Sequence, residues 1–260
     1  REKKLEIKPA EKKKRVLVIG SGPAGMEAAM VLAKRGHNVT ILEKEKKIGG
    51  SLNMAAMVKG TEREDLVGII QYFNTQIKKL GINIKTGQAI TPAVIDELKP
   101  DAVVIAAGAK HNTPNIPGID KKIVVTSESL HNQLKKFLKF FGPTTLHSLT
   151  SVWMPVGKKV VVMGGNIQGC QTAEFLTKRG REVTIVEEAD AIGEGLVGSV
   201  LKPRLLDWFD KKGVKKYAGV KYEEVTDKGL VITDKNGQKL TLEANTIITA
   251  LPLKPNKELS

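Results

Sequence analysis

Two stretches 144 residues apart constrain the fold more than any other feature of the sequence. Val16-Leu17-Val18-Ile19-Gly20-Ser21-Gly22-Pro23-Ala24-Gly25 is an apolar run leading straight into G-x-G-x-x-G, and Val160-Val161-Val162-Met163-Gly164-Gly165-Asn166-Ile167-Gln168-Gly169 repeats it. At the same offset Gly36 recurs as Gly180, Glu43 as Glu187, Val39-Thr40-Ile41-Leu42 as Val183-Thr184-Ile185-Val186, and Asp101–Gly108 as Asn245–Pro252. An apolar run that ends at a turn reads as a buried parallel strand. A glycine turn opening a helix allows close helix–strand packing and close approach of a pyrophosphate to the backbone. The phosphates then meet the helix N-terminus, where unpaired N–H groups and the helix dipole favour negative charge. An acid at the end of the second strand suits the hydroxyls of an adenosine ribose.

The expected fold class is therefore α/β: two tandem Rossmann-like dinucleotide-binding domains, with parallel sheets and a β-meander in each. Residues 1–14 read as a basic lead or linker, 15–118 as the first part of one nucleotide domain, 119–250 as a second, and 251–260 as the start of a return to the first. Within the first, Leu66, Ile69, Ile70, Phe73, Ile77 and Leu80 fall at helical spacing between Thr61 and Leu80, Gly81 ends that helix, and Ile82-Asn83-Ile84 alternates as a strand. Asn112–Gly118, with two prolines and a glycine, reads as a crossing. Within the second, Leu196–Lys212 reads as a helix made irregular by an interior Pro203, Tyr217–Leu242 as a meander with a hairpin at Asn236-Gly237, and Ile247–Ala250 as the closing strand.

The second turn departs from the pattern at Asn166, where a side chain replaces the middle glycine. That side chain narrows the approach of a pyrophosphate, although an asparagine could also hydrogen-bond a phosphate, so both a working and a silent second site stay open. Glu187 suits the free 2′-hydroxyl of NAD, and with Glu188 it opposes the 2′-phosphate of NADP.

Charge and cysteine usage narrow the classes further. A net charge of +14 invites a nucleic-acid reading. Much of it is scattered as Lys-Lys pairs, its densest cluster being Lys12-Lys13-Lys14-Arg15, and with 4% aromatics there is little to stack on bases. No nucleic-acid partner is expected; a solvated or protein-docked surface fits better. No apolar run is long enough to span a membrane. One cysteine, Cys170, leaves no C-x-x-C pair and no cluster ligands, which excludes a disulfide reductase and suggests a reducing, cytoplasmic setting. His37, His111, His131 and His147 lack metal-ligand spacing, so no metal is expected, and Trp153 and Trp208 read as core or interface.

Beyond the two turns, Gly49-Gly50-Ser51-Leu52-Asn53-Met54-Ala55-Ala56, Lys99–Ala109, Asn115-Ile116-Pro117-Gly118-Ile119-Asp120 and Leu253-Lys254-Pro255-Asn256 follow in order. With these segments the chain resembles, over essentially its whole length, the C-terminal FAD/NAD(P)-binding part of the NADH:flavin oxidoreductases, the group of 2,4-dienoyl-CoA reductase, 2-enoate reductase and trimethylamine dehydrogenase. The resemblance implies FAD, or ADP, at Gly20, Ser21, Gly22, Pro23, Ala24, Gly25 and Glu43, with Lys44, Gly50, Ser51, Ala89, Ala107 and Gly108 lining the rest. It implies NADH, in preference to NADPH, along Gly164, Gly165, Asn166, Ile167, Gln168, Glu187 and Ala250. It also implies hydride transfer from nicotinamide to flavin and onward passage of electrons through an iron–sulfur cluster to the FMN of a barrel. Cluster, FMN and barrel are expected outside this chain, as a longer protein's N-terminal part or a partner, and the final acceptor is an unsaturated thioester or acid. A closing flavin segment is expected beyond Ser260. Pro252 stands where the family has a glycine. No catalytic acid or base is assigned. The alternative is a non-catalytic module of the trimethylamine-dehydrogenase kind, with structural ADP and a silent second site.

Overall fold

A computed structural model of the chain describes residues 6–59, 65–88, 90–126, 129, 130, 132, 136, 145, 148–150, 154, 156–196 and 201–258. The chain divides into two compact units, one ending at Ala109 and resuming at Pro255, the other running from Lys110 to Lys254. It leaves the first unit within β5 (Ala109–Lys110) and returns within β14 (Lys254–Pro255).

In the first unit β1 (Arg15–Ile19), α1 (Pro23–Lys34), β2 (Asn38–Glu43), α2 (Leu52–Lys59), α3 (Leu66–Lys79), β3 (Asn83–Thr86), α4 (Pro92–Leu98) and β4 (Ala102–Ile105) follow in order. The strands form a parallel sheet, β3-β2-β1-β4. All of β1 after Arg15 is buried, which is why its sequence is continuously apolar rather than alternating. Val18 and Ile41 pack with Met26, Ala29 and Met30 of α1 and with Phe73 and Ile77 of α3. Two helices lie where the sequence showed none. In α4, Thr91 caps the first turn by accepting from Val94 N–H and Pro92 fills a position whose N–H is unpaired anyway.

The second unit holds β6 (Val124–Val125), β7 (Lys159–Met163), α5 (Ile167–Thr177), β8 (Glu182–Glu187), α6 (Leu201–Lys211), β9 (Lys215–Ala218), β10 (Lys221–Thr226), β11 (Gly229–Thr233), β12 (Lys239–Glu243) and β13 (Thr246–Thr249). Its parallel sheet runs β6-β13-β7-β8-β9, and β10-β11-β12 form an antiparallel meander. Tyr222, Leu230 and Ile232 of the meander share a core with Val161, Met163 and Ile247 of the sheet. The hairpin at Asn236-Gly237 is present, with Gly237 at φ +80°. Tyr217 belongs to β9, which pairs parallel with β8, so the meander begins later than its apolar pattern suggested. Pro203 lies two residues beyond Leu201, the first described residue of α6.

A meander in each unit was expected, and among the described residues the first unit has none: α4 stands in its place. Thirty-nine residues separate β2 from β3 against 27 between β8 and β9, and 15 separate β3 from β4 against 27 between β9 and β13. Twelve residues fewer and then twelve more restore the offset of 144, which conceals the exchange of helix for meander. The exchange has a physical mark. Ile247 and Thr249 of β13 are fully buried, whereas their counterparts on β4, Val103 and Ile105, are 38% and 42% exposed.

Candidate functional site

Both turns are held by the same hydrogen bonds. Gly20 N–H donates to Leu42 O and Gly164 N–H to Val186 O, each at 2.8 Å. Ala106 N–H donates to Ile19 O and Ala250 N–H to Met163 O, fixing the neighbouring strand at each turn. Gly20 and Gly164 lie at φ +100° and +108°, and a Cβ on either would collide with the carbonyl oxygen of Ala106 or Ala250. Only glycine meets both demands.

At the first turn the middle glycine leaves open space: a Cβ placed on Gly22 meets no atom within 4 Å, and no side chain caps α1. Gly50, at φ +52°, closes over it so tightly that a Cβ there would lie 3.1 Å from Gly22 Cα. The Gly49–Gly50 loop is tied down by Gly49 N–H donating to Ser21 O at 2.9 Å. Glu43 is only 6% exposed, and its Oε2 accepts from both Ser21 N–H and the Ser21 hydroxyl, at 2.8 and 2.6 Å. Its Oε1 accepts from Glu45 N–H at 2.8 Å. With three of about four acceptor positions taken, the carboxylate chiefly braces the turn and keeps little capacity for a ribose. The open cradle at Gly22 fits a pyrophosphate.

The second turn is arranged in the opposite sense. Glu187 Oε2 accepts from Gly165 N–H at 2.5 Å and Oε1 from Ala189 N–H at 3.0 Å. Gly165 replaces Ser21 and brings no hydroxyl, and Glu187 is partly exposed, so this carboxylate has more room for a ribose. The phosphate position, however, is filled from within. Asn166 Oδ1 accepts from Gln168 N–H at 2.8 Å and Gly169 N–H at 3.4 Å, while Nδ2 donates to Ala250 O at 3.1 Å. Asn166 is at φ −73°, so its side chain, not an unusual backbone angle, distinguishes it. As placed, the amide occupies the N–H groups a pyrophosphate would use, and the second turn does not fit one without moving it.

The structure brings Gly20, Ser21, Gly22, Pro23, Ala24, Gly25, Glu43, Gly50 and Ala107 together at the first turn; Ala107 N lies 3.6 Å from a Cβ built on Gly20. Exposed Lys44 follows Glu43, and Ser51 opens α2 with its carbonyl accepting from Ala55 N–H. Gly108, at φ +73°, accepts from Asn256 N–H at 3.0 Å. Ala89 lies outside the described residues, as do His131, His147 and Trp153. Pro252, the counterpart of Gly108, cannot adopt a positive φ, so the chain leaves β13 on another path.

Sequence reasoning missed Gly193, whose N–H donates to Gly165 O at 2.6 Å as Gly49 does to Ser21 O. The signal was available, since Ile48-Gly49 recurs as Ile192-Gly193 at the same offset. It also missed Lys202 of α6, whose stem packs on this loop, 3.2 Å from a Cβ built on Gly193. Beneath the turn, Cys170 is fully buried with its thiol donating to Gly165 O at 3.3 Å. Burial pushes that thiol up to about 11, Lys202 drawing it back and Glu187 pushing it further. Burial, then Glu187 and Glu188, also raise the Tyr222 phenol, which donates to Val186 O at 3.0 Å. Glu188 is shifted above the ordinary carboxylate range, first by desolvation and then by the adjacent Glu187.

The family described as pyridine nucleotide-disulphide oxidoreductase matches residues 14–260. Cinnamate reductase of Clostridium sporogenes is 33% identical over 265 residues, covering 100% of this chain and 36% of its own length. NADH oxidase of Thermoanaerobacter brockii is 29% identical, covering 96% of this chain and 36% of its own. The solved structure of 2-naphthoyl-CoA reductase in complex with 2-naphthoyl-CoA superposes with a TM-score of 0.81 at 35% identity, over 98% of this chain and 35% of that one. The chain thus spans little more than a third of the length of these relatives, and the kinship with the enoate-reductase group holds across it.

Proposed function

The chain belongs to the pyridine nucleotide-disulphide oxidoreductase family, and on that premise we propose that it is the two-nucleotide module of a flavoenzyme that takes hydride from NADH. The first unit carries FAD on the Gly22 turn and the second carries NADH on the Gly164–Gly169 turn. The observation that supports this most is the duplicated brace, Ser21 N–H to Glu43 and Gly165 N–H to Glu187, which holds two glycine turns in one geometry. Bound flavin would supply the two-electron acceptor for a nicotinamide hydride.

The chain's own contribution is binding and orientation. Gly22 leaves room for the pyrophosphate, the uncapped N-terminus of α1 supplies N–H groups and a favourable dipole, and Gly50 walls the cradle from above. Glu187 would receive the ribose hydroxyls of NADH, with Glu188 adding repulsion against a 2′-phosphate. One cysteine cannot form a redox disulfide, so despite the family's name a dithiol relay within this chain is not part of the reading. Electrons would leave through an iron–sulfur cluster and FMN barrel in the part of the protein that corresponds to the remaining length of the relatives. The acceptor would be an unsaturated acid or thioester, in keeping with the names cinnamate reductase and 2-naphthoyl-CoA reductase.

The test is calorimetric titration of the chain with FAD, ADP and NADH, alone and in pairs. Independent binding of an adenine nucleotide and NADH, one of each per chain, is the expected result; a single shared site would overturn the two-nucleotide reading. One observation favours a second reading, in which the first turn holds ADP structurally and the second is silent: the Asn166 amide fills the phosphate position. Under it, NADH would fail to bind once ADP saturates the first turn.

A further inference from the structure

We propose that Asn166 is a displaceable latch on the second turn, its carboxamide standing in for a phosphate so that a nicotinamide dinucleotide enters by exchanging places with it. The inference rests on the reading of that turn as a dinucleotide site. It is carried by three hydrogen bonds and one internal comparison. Oδ1 holds the N–H groups of Gln168 and Gly169, the pair a phosphate oxygen needs at this kind of turn. Nδ2 donates to Ala250 O, 84 residues away, so the amide is fixed at both ends. At the equivalent position of the first turn, Gly22 offers no such group and the space above the helix is empty. The same backbone is thus open in one unit and closed on itself in the other.

The latch is made of exchangeable contacts. An asparagine N-cap is a modest neutral contact, and a pyrophosphate can replace it because it brings charge-assisted hydrogen bonds to the same N–H groups. Lys202 lies along the loop that closes this turn, its Cε 3.2 Å from a Cβ built on Gly193, which brings a cation to this side of the turn. Only ligands that carry the pyrophosphate have to move the amide, which makes Asn166 a selectivity residue for the diphosphate rather than for the adenosine.

Two substitutions separate a latch from a mere cap, because glycine and aspartate are both accepted at an N-cap and leave α5 formed. Asn166→Gly removes the competitor, and NADH should bind about twofold tighter, the fold-change that corresponds to the small margin by which asparagine exceeds glycine as an N-cap. Asn166→Asp keeps a cap and places a negative charge where the phosphate must go, and NADH should bind at least tenfold more weakly. Both variants lose the Nδ2 donor to Ala250 O and should melt somewhat below the parent chain while remaining folded, and ADP affinity at the first turn should not change. NADH is titrated by its own fluorescence with the first turn saturated by ADP. If Asn166→Gly binds NADH no better or more weakly than the parent, the amide contacts the nucleotide or does nothing, and the latch is wrong while the site stands. If neither parent nor Asn166→Gly binds NADH under these conditions, the reading of the second turn as a nicotinamide site falls, and the latch with it.

Discussion

At the first turn a glycine leaves the helix N-terminus open while the acid behind it, Glu43, is buried and largely engaged by Ser21 and Glu45. At the second an asparagine amide closes the helix N-terminus while its acid, Glu187, is partly exposed and lacks the serine hydroxyl. Each unit keeps one half of an adenosine-diphosphate site ready and the other half engaged with itself. The comparison teaches that a shared backbone does not make equivalent sites. Two side-chain exchanges, Ser21 for Gly165 and Gly22 for Asn166, redistribute the same donors and acceptors between holding the turn and holding a ligand.

The largest expected effect tests whether the shared backbone is indispensable. A methyl group on Gly25 would collide with the Gly20 carbonyl oxygen, and on Gly169 with that of Gly164. Gly25→Ala and Gly169→Ala should each destabilise their own unit by about 3 kcal/mol, the upper range for overpacking. Urea titrations followed by circular dichroism measure this, and an unchanged midpoint for either variant would mean that the turn can relax. Gly22→Val comes next. It should cost only about 1 kcal/mol of stability, since valine is a poor N-cap but its Cβ has nothing within 4 Å, yet weaken FAD and ADP roughly 100-fold, about 2.8 kcal/mol. Calorimetry decides; retention of full ADP affinity would place the nucleotide elsewhere.

A smaller effect concerns the two acids. NADPH should bind the second turn about tenfold more weakly than NADH, since a hydrogen bond to a charged group is worth about 1.5 kcal/mol and its loss comes with repulsion. Equal affinities at one ionic strength would show that Glu187 does not reach the ribose. The smallest effect is in pH. Because Glu188 is raised above the ordinary carboxylate value of 4.5, it gains its proton earlier on acidification than an unperturbed glutamate would. The NADH preference should therefore be full at neutral pH and shrink as pH falls through that raised value. Glu188→Gln should show a smaller preference at every pH and lose the carboxylate's share of the trend, leaving only the titration of the 2′-phosphate itself. An identical profile for parent and variant would remove Glu188 from the discrimination.

What could be read from the sequence follows the range of the interactions. β1, α1 and β2 were legible because Val16–Ile19 is apolar throughout, the glycines are spaced for the turn, and Glu43 closes the unit, all within about thirty residues. Asn166 was visible as a departure, and its cap on Gln168 and Gly169 is a local start signal that could have been read, but its bond to Ala250 O, distant in sequence, was not. The engagement of Glu43 was hidden by range: a serine beside a glycine turn does not announce that its hydroxyl points to an acid 22 residues on. The missing first meander was concealed by equal spacing, and α4 by its shortness, although Thr91-Pro92 carries the start signal.

The lone thiol under the second turn turns this part of the fold into its own recorder. Cys170 is fully buried, its thiol is bonded to Gly165 O, and at about 11 its ionisation lies far above neutrality. At pH 8 the thiol is held protonated, and it is not reachable until the turn parts from the strand beneath. Because the chain has a single cysteine, every adduct formed with a thiol reagent counts one such opening. The rate of labelling is thus a clock for excursions of the Gly164–Gly169 turn, and a nucleotide seated above it should slow that clock without touching the sulfur.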